Sequence, residues 1–171
     1  MRRLMTSLCL ASTFMLPALA RADVAQADKD FMTEAAQGGM AEVKLGELAK
    51  TKAQNQEVKT FADRMVTDHT KANDELKSLA TKKGVTLPTD LASEDQKTYD
   101  ELSKLSGAEF DKAYMDAMVK DHDQDVGEFQ KQAKAAKDKD VRDFATQTLP
   151  TLKSHKSMAH ADSKDLSGKH M

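Results

Sequence analysis

Glu57-Val58-Lys59-Thr60-Phe61-Ala62-Asp63-Arg64-Met65-Val66-Thr67-Asp68-His69-Thr70-Lys71-Ala72-Asn73-Asp74-Glu75-Leu76-Lys77-Ser78-Leu79 carries its apolar residues at spacings of three and four. That is the period of one face of an α-helix. Asn55 stands just before the stretch as a favourable N-cap, and Gly84 beyond it is the residue type that ends helices in the left-handed conformation. The stretch therefore reads as a helix between Asn55 and Gly84.

The same period continues on both sides. Upstream, Phe31, Ala35, Leu45, Leu48 and Ala49 mark a helix from Asp28 to Lys52. Downstream, Phe110, Ala113, Tyr114, Ala117, Met118, Val126, Phe129 and Ala133 mark a third that ends near Ala136. A fourth starts near Asp138 and carries Val141, Phe144, Ala145, Leu149, Leu152 and Ala159. Between the second and third, Val85-Thr86-Leu87-Pro88 must be a crossing loop, followed by a short helix from Ser93 to Leu105. Ser93-Glu94-Asp95-Gln96 and Ser106-Gly107-Ala108-Glu109 have the form of capping boxes. No alternating or β-branched run argues for a strand. The expected architecture is all-α, a ferritin-like four-helix bundle with a short extra helix in the connection between the second and third long helices.

Two local similarities suggest like halves. Glu57-Val58-Lys59-Thr60-Phe61-Ala62 matches Asp140-Val141-Arg142-Asp143-Phe144-Ala145, and the first and third long helices each place a phenylalanine, Phe31 and Phe110, near the start of the stripe.

The chain begins Met1-Arg2-Arg3, runs through a mostly apolar stretch from Leu4 to Leu19, and reaches small residues at Ala18-Leu19-Ala20 and Ala20-Arg21-Ala22. This is a secretory signal peptide over residues 1–22, cleaved after Ala22 or Ala20, and it predicts a periplasmic protein. Thr6, Ser7, Ser12, Thr13 and Pro17 interrupt the stretch, which is too short and too polar to stay as a membrane anchor. Residues 23–162 form the expected bundle domain, and 163–171 read as a disordered tail. Cys9, the one cysteine, lies in the segment to be removed, so the mature chain has no disulfide. The whole chain has 26 Lys+Arg against 28 Asp+Glu, a formal net charge of -2. Cleavage removes Arg2, Arg3 and Arg21 and no acid, which makes the mature chain more acidic and argues against a nucleic-acid partner. No mature segment could span a bilayer. An envelope partner is compatible with this composition, but nothing in the sequence identifies one.

Each long helix also places one ionisable residue on its buried side. His69 follows Ala62, Met65 and Val66; His122 lies between Met118 and Val126; His155 follows Leu149 and Leu152; Glu42 lies between Gly38 and Leu45. Each is about fourteen to sixteen residues from its helix start, roughly 21 to 24 Å along the axis, so the four meet at mid-height whichever way the helices run. Three imidazoles and a carboxylate could bind one transition metal such as zinc, iron or copper. They could instead hydrogen-bond one another, Tyr114 and water, and fix the register of the bundle. Asp68 and Asp121 each precede a histidine in Met-Val-x-Asp-His, turned about 100° from it. Such an acid either orients the histidine of a neighbouring helix or pairs with a lysine or arginine at the boundary. A further set, His155, Met158, His160, His170 and Met171, has the nitrogen and thioether groups that copper favours. Gly38-Gly39 reads as a place of close helix contact. No nucleophile with a base and no phosphate loop is present.

Phe31 to Leu48 with its Gly38-Gly39-Met40-Ala41-Glu42-Val43 core, Val58-Lys59-Thr60-Phe61-Ala62 leading to Asp68-His69, Ser106-Gly107-Ala108-Glu109-Phe110-Asp111 with Tyr114 leading to His122, and Leu149-Pro150 leading to His155 together resemble the bacterial exported family called domain of unknown function 4142. The resemblance implies a ferritin-like helical fold in an envelope protein and no established activity. A di-iron carboxylate site of the ferritin type needs Glu-x-x-His on two helices, whereas Val66, Val119 and Leu152 stand three residues before the histidines. The reading is thus of a binding or interaction module rather than an enzyme, with a metal-dependent redox or metal-storage protein as the alternative.

Overall fold

Asn55 accepts a hydrogen bond from the Glu57 backbone N–H at 2.7 Å, and Gly84 turns left-handed at φ 71°, so the second long helix starts and stops where its chemistry predicts. The computed structural model describes residues 24–168; the expected signal peptide, and His170 and Met171 at the other end, lie outside them. Five helices make up the described residues, with no strand: α1 Gln26–Lys52, α2 Gln56–Lys83, α3 Ser93–Ser103, α4 Gly107–Ala135 and α5 Lys139–Gly168. This is an all-α helical bundle. No helix among them is long and apolar enough to cross a membrane.

Four details at the helix ends differ from expectation. α1 starts at Gln26 rather than Asp28, because Asp28 is buried and bonded to another part of the chain. Neither capping box forms: α3 takes Ala92 as its N-cap, with Gln96 N–H bonded to Ala92 O, and the Ser106 side chain makes no cap bond at α4. α5 continues through Pro150 to Gly168, so residues 163–168 are helical rather than a loose tail. Leu166 packs on the core there, and Ser163 Oγ donates to Asp116 Oδ1 at 3.3 Å.

Side-chain contacts give the helix directions. α1 runs antiparallel to α2, with Gly39 against Asn73 and Lys50 paired to Asp63. α2 runs antiparallel to α5, with Lys82 paired to Asp140 and Asp68 to His155. α4 and α5 are antiparallel, with Phe129 near Phe144 and Asp123 near His160. α1 and α4 close the ring, and α3 lies against both.

Two aspartates fasten the hairpins to each other. Asp28 at the start of α1 accepts the backbone N–H groups of Lys137 and Asp138 at 3.0 and 2.6 Å, in the turn before α5. Asp111 at the start of α4 accepts those of Gln54 and Asn55 at 3.0 and 2.8 Å, in the turn before α2. The shift that carries Asp28 to Asp111 also carries Gln54 to Lys137, Asn55 to Asp138 and Phe61 to Phe144. The two halves are therefore in register along their length. Phe31 corresponds to Tyr114 in this register, not to Phe110.

The core falls into two parts. Phe31, Leu76, Phe129 and Phe144 anchor one, and Phe61, Phe110, Tyr114 and Met118 the other. Between them sits the polar layer.

A Cβ at Gly46 would lie 2.8 Å from Val66 Cγ2 and 3.1 Å from Ala62 O, so glycine is what lets α1 and α2 approach there. Gly39 is also tight, against Asn73, while a Cβ at Gly38 meets nothing within 4 Å. Gly38→Ala should gain up to about 1 kcal/mol of helix propensity. Gly46→Ala should lose about 1–2 kcal/mol net to overpacking. Urea denaturation of the two variants checks the opposite signs.

Candidate metal centre

His69 of α2, His122 of α4 and His155 of α5 come together. All three are buried, and their ring centroids lie 5.7 Å (His69 to His122), 5.3 Å (His69 to His155) and 5.4 Å (His122 to His155) apart. One nitrogen from each ring lies within 4.8 Å of the others.

The second nitrogen of two of these rings is committed elsewhere. His122 Nδ1–H donates to the Met118 carbonyl at 2.9 Å, one turn back on its own helix. A carbonyl only accepts, so this bond fixes the tautomer and leaves Nε2 with its lone pair. His155 Nε2–H donates to Asp68 Oδ2 at 2.8 Å, which leaves Nδ1 with its lone pair. The buried ring nitrogens without a protein partner are His69 Nε2, His122 Nε2 and His155 Nδ1. For the two rings with fixed tautomers, the unpartnered nitrogen is the one holding the lone pair. Leaving such groups unsatisfied costs about 1–3 kcal/mol each. An imidazole with one nitrogen tied to a carboxylate or carbonyl and the other free is how proteins present a metal ligand.

Electrostatics keeps these lone pairs available. Burial pushes His69 down to about 3, helped by the neighbouring His122 and His155. Burial lowers His155 to about 4 against the opposing pull of its Asp68 hydrogen bond, and lowers His122 against Asp121. All three are neutral at pH 7. Burial works to raise Asp68, but hydrogen bonds from His155 and Arg64 outweigh it and hold its carboxyl below the usual range.

Glu42 is buried beside His122, with Oε1 3.8 Å from Nδ1, too far for a hydrogen bond. Its carboxyl hydrogen-bonds Asp121, and Glu42, Asp121 and His122 make a group separate from the three histidines. The expected four-membered layer thus resolves into two sets that share His122. Burial and then Asp121 push Glu42 well above the ordinary carboxyl range.

Asp68 orients the histidine of a neighbouring helix, as one of the two sequence readings has it, and also pairs with Arg64 at 3.2 Å. Asp121 does not. The same turn away from its histidine aims Asp121 at α1, whose mid-height residue is Glu42, where Asp68 is aimed at α5 and His155. Tyr114 is buried and stacks on Phe110 at 5.7 Å, and its hydroxyl has no protein partner, so it serves none of the three histidines by hydrogen bond. Of the C-terminal set, the described members are engaged separately: His160 is half-exposed and pairs with Asp123 at 2.9 Å, and Met158 Sδ accepts from Arg64, while His170 and Met171 lie outside the described residues. Sequence reasoning missed Asp28 and Asp111. Their signal is the repeat Asp28-Lys29-Asp30-Phe31-Met32 and Asp111-Lys112-Ala113-Tyr114-Met115.

Two solved structures share this fold. A DUF305 fragment from Deinococcus radiodurans aligns with TM-score 0.71 at 13% identity, over 83% of this chain and 99% of its own. CopM in the Cu(I)-bound form aligns with TM-score 0.67 at 14% identity, over 81% of this chain and 96% of its own. No curated protein matches the chain in sequence. The family described as Domain of unknown function (DUF4142) matches residues 14–161, and the chain belongs to it.

Proposed function

We propose that this is an exported, periplasmic binding protein of ferritin-like layout that holds one transition metal ion on His69 Nε2, His122 Nε2 and His155 Nδ1. The reading is carried by two observations together: one nitrogen of each of the three buried rings lies within 4.8 Å of the others, and each ring keeps one buried nitrogen without a protein partner. A set of hydrogen-bonded histidines would instead pair these atoms with one another or with Tyr114, whose hydroxyl is also unpartnered. Imidazole suits copper, zinc and iron. Copper(I) fits this donor set best, because three neutral ligands between two apolar clusters accept a monovalent ion with less buried charge than a divalent one. The likeness of fold to a protein solved in its Cu(I)-bound form agrees with this choice.

Mature, untagged protein loaded anaerobically with Cu(I) and dialysed should retain about one ion per chain. Asp68→Asn keeps all three ligands and removes the acid behind His155; it should weaken affinity about 10–100-fold. His122→Leu should abolish retention while circular dichroism remains helical. Wild-type protein that retains neither copper nor zinc would sink the proposal. Retention of zinc alone would change the metal and keep the site.

A further inference from the structure

The pair Gly38-Gly39 reads in the sequence as a place of close helix contact, and only half of it serves that purpose. Gly39 lies tight against the Asn73 side chain, whereas a Cβ on Gly38 meets nothing within 4 Å. The shift that relates the two halves of the chain carries Gly38 to Asp121 and Gly39 to His122. α2, α4 and α5 each give the metal centre a histidine. α1 gives none, and where α4 has His122 it has a glycine.

Two residues without side chains leave room there. A cavity of about 250 Å³ is lined by Gly38 and Gly39 and reaches His69. Its lining passes from exposed residues, Glu34 and Gln124, to buried ones, His69 and Leu152. His69 is 5% exposed, and its Nε2 is one of the three buried ring nitrogens without a protein partner. The cavities beneath the α2–α3 loop and between α1, α3 and α4 touch none of the three histidines. Among the described residues, no lysine or arginine lines the cavity that does. Apart from the neutral His69 its ionisable residues are all carboxylates, so its wall does not repel a cation and disfavours an anion.

We propose that this cavity is the port through which the metal ion reaches and leaves the three histidines, as a small cation and without the helices parting, and that Gly38 keeps it open. The inference rests on the metal reading above. An ion held by α2, α4 and α5 leaves the α1 side as the one without a ligand, and that is the side on which the cavity lies. In a bundle without such a passage, exchange of a buried ion would wait for local opening of the helices.

The test is kinetic. Mature protein is mixed with Cu(I) in acetonitrile-containing buffer to follow uptake, and loaded protein with an excess of a chromogenic Cu(I) chelator to follow release. Gly38→Leu and Gly38→Phe should slow both rates alike, by about tenfold for phenylalanine, and leave the dissociation constant within about twofold, because a plug raises the barrier and not the end states. Gly38→Ala, which adds one carbon in open space, should change neither rate. Gly127→Leu controls for a stiffer helix: a Cβ there also meets nothing within 4 Å, but Gly127 does not line the cavity, so its rates should match wild type. Unchanged rates in helical Gly38→Leu and Gly38→Phe, slowing of one rate alone, or equal slowing in Gly127→Leu would overturn the port and leave the three-histidine site standing. Wild type that takes up no ion would overturn both.

Discussion

Replacing Asp111 with alanine is expected to lower the stability of the fold by about 2–4 kcal/mol, and Asp28→Ala by a similar amount. Asp111 is 2% exposed and Asp28 1%, and each carboxylate accepts two backbone N–H groups from a turn that belongs to the other hairpin. A hydrogen bond to a charged acceptor contributes about 1.5–3 kcal/mol, and part of that returns when water reaches the freed N–H groups. The turns concerned start α2 and α5, so the loss also loosens two helix N-termini. In a chain of this size the change corresponds to roughly 5–15 °C in thermal midpoint. The two sites lie at opposite ends of the bundle with no shared partner, so the double variant should lose close to the sum. Thermal melts of both single variants and the double check this. Asparagine in place of either acid should recover part of the stability, since its one carbonyl can still accept.

A second large effect concerns acid. His69 has its protonation held down to about 3 by burial and then by its histidine neighbours, so in the unfolded chain it takes up a proton near pH 6.5 that the folded chain refuses. A histidine with a lowered folded value contributes stability that is complete above pH 6.5 and is lost as the pH falls toward 3. The carboxyl groups of Glu42, Asp95 and Asp125 work in the opposite direction, because their folded values are raised. Comparing wild type with His69→Leu isolates the histidine. In the presence of chelator, the difference between the two should move against wild type by about 1.4 kcal/mol per pH unit between pH 6 and 4. Urea denaturation at several pH values reads it directly. A gap that stays constant from pH 7 to pH 4.5 would mean that His69 is not held neutral.

How much of this was legible depended on what each residue needs from its surroundings. Asn55 and Gly84 act on their own backbone, so the limits of α2 could be read from the chain alone. His69, His122 and His155 were legible because a helical stripe states which side is buried. Asp121 was not, because its partner depends on which helix stands beside α4, and periodicity is silent about neighbours. Asp28 and Asp111 were hidden for a different reason: in a chain rich in charged residues an acid near a helix start reads as a dipole partner or a surface charge. The Ser93 and Ser106 motifs misled because a match of residue types does not set the backbone; α3 begins at the residue after Ala92, and Gly107 adopts φ 60° directly after Ser106.

The division of the core at mid-height has a consequence for the repeated halves. Each apolar cluster draws on α1, α2, α4 and α5 together. A fragment holding α1 and α2 alone would own two half-cores and complete neither, while missing the acid that secures its own turn. The repeat in the chain therefore runs hairpin by hairpin, but the cooperative units run end by end, and slow hydrogen exchange should fall into two bands across the bundle rather than two hairpins along it.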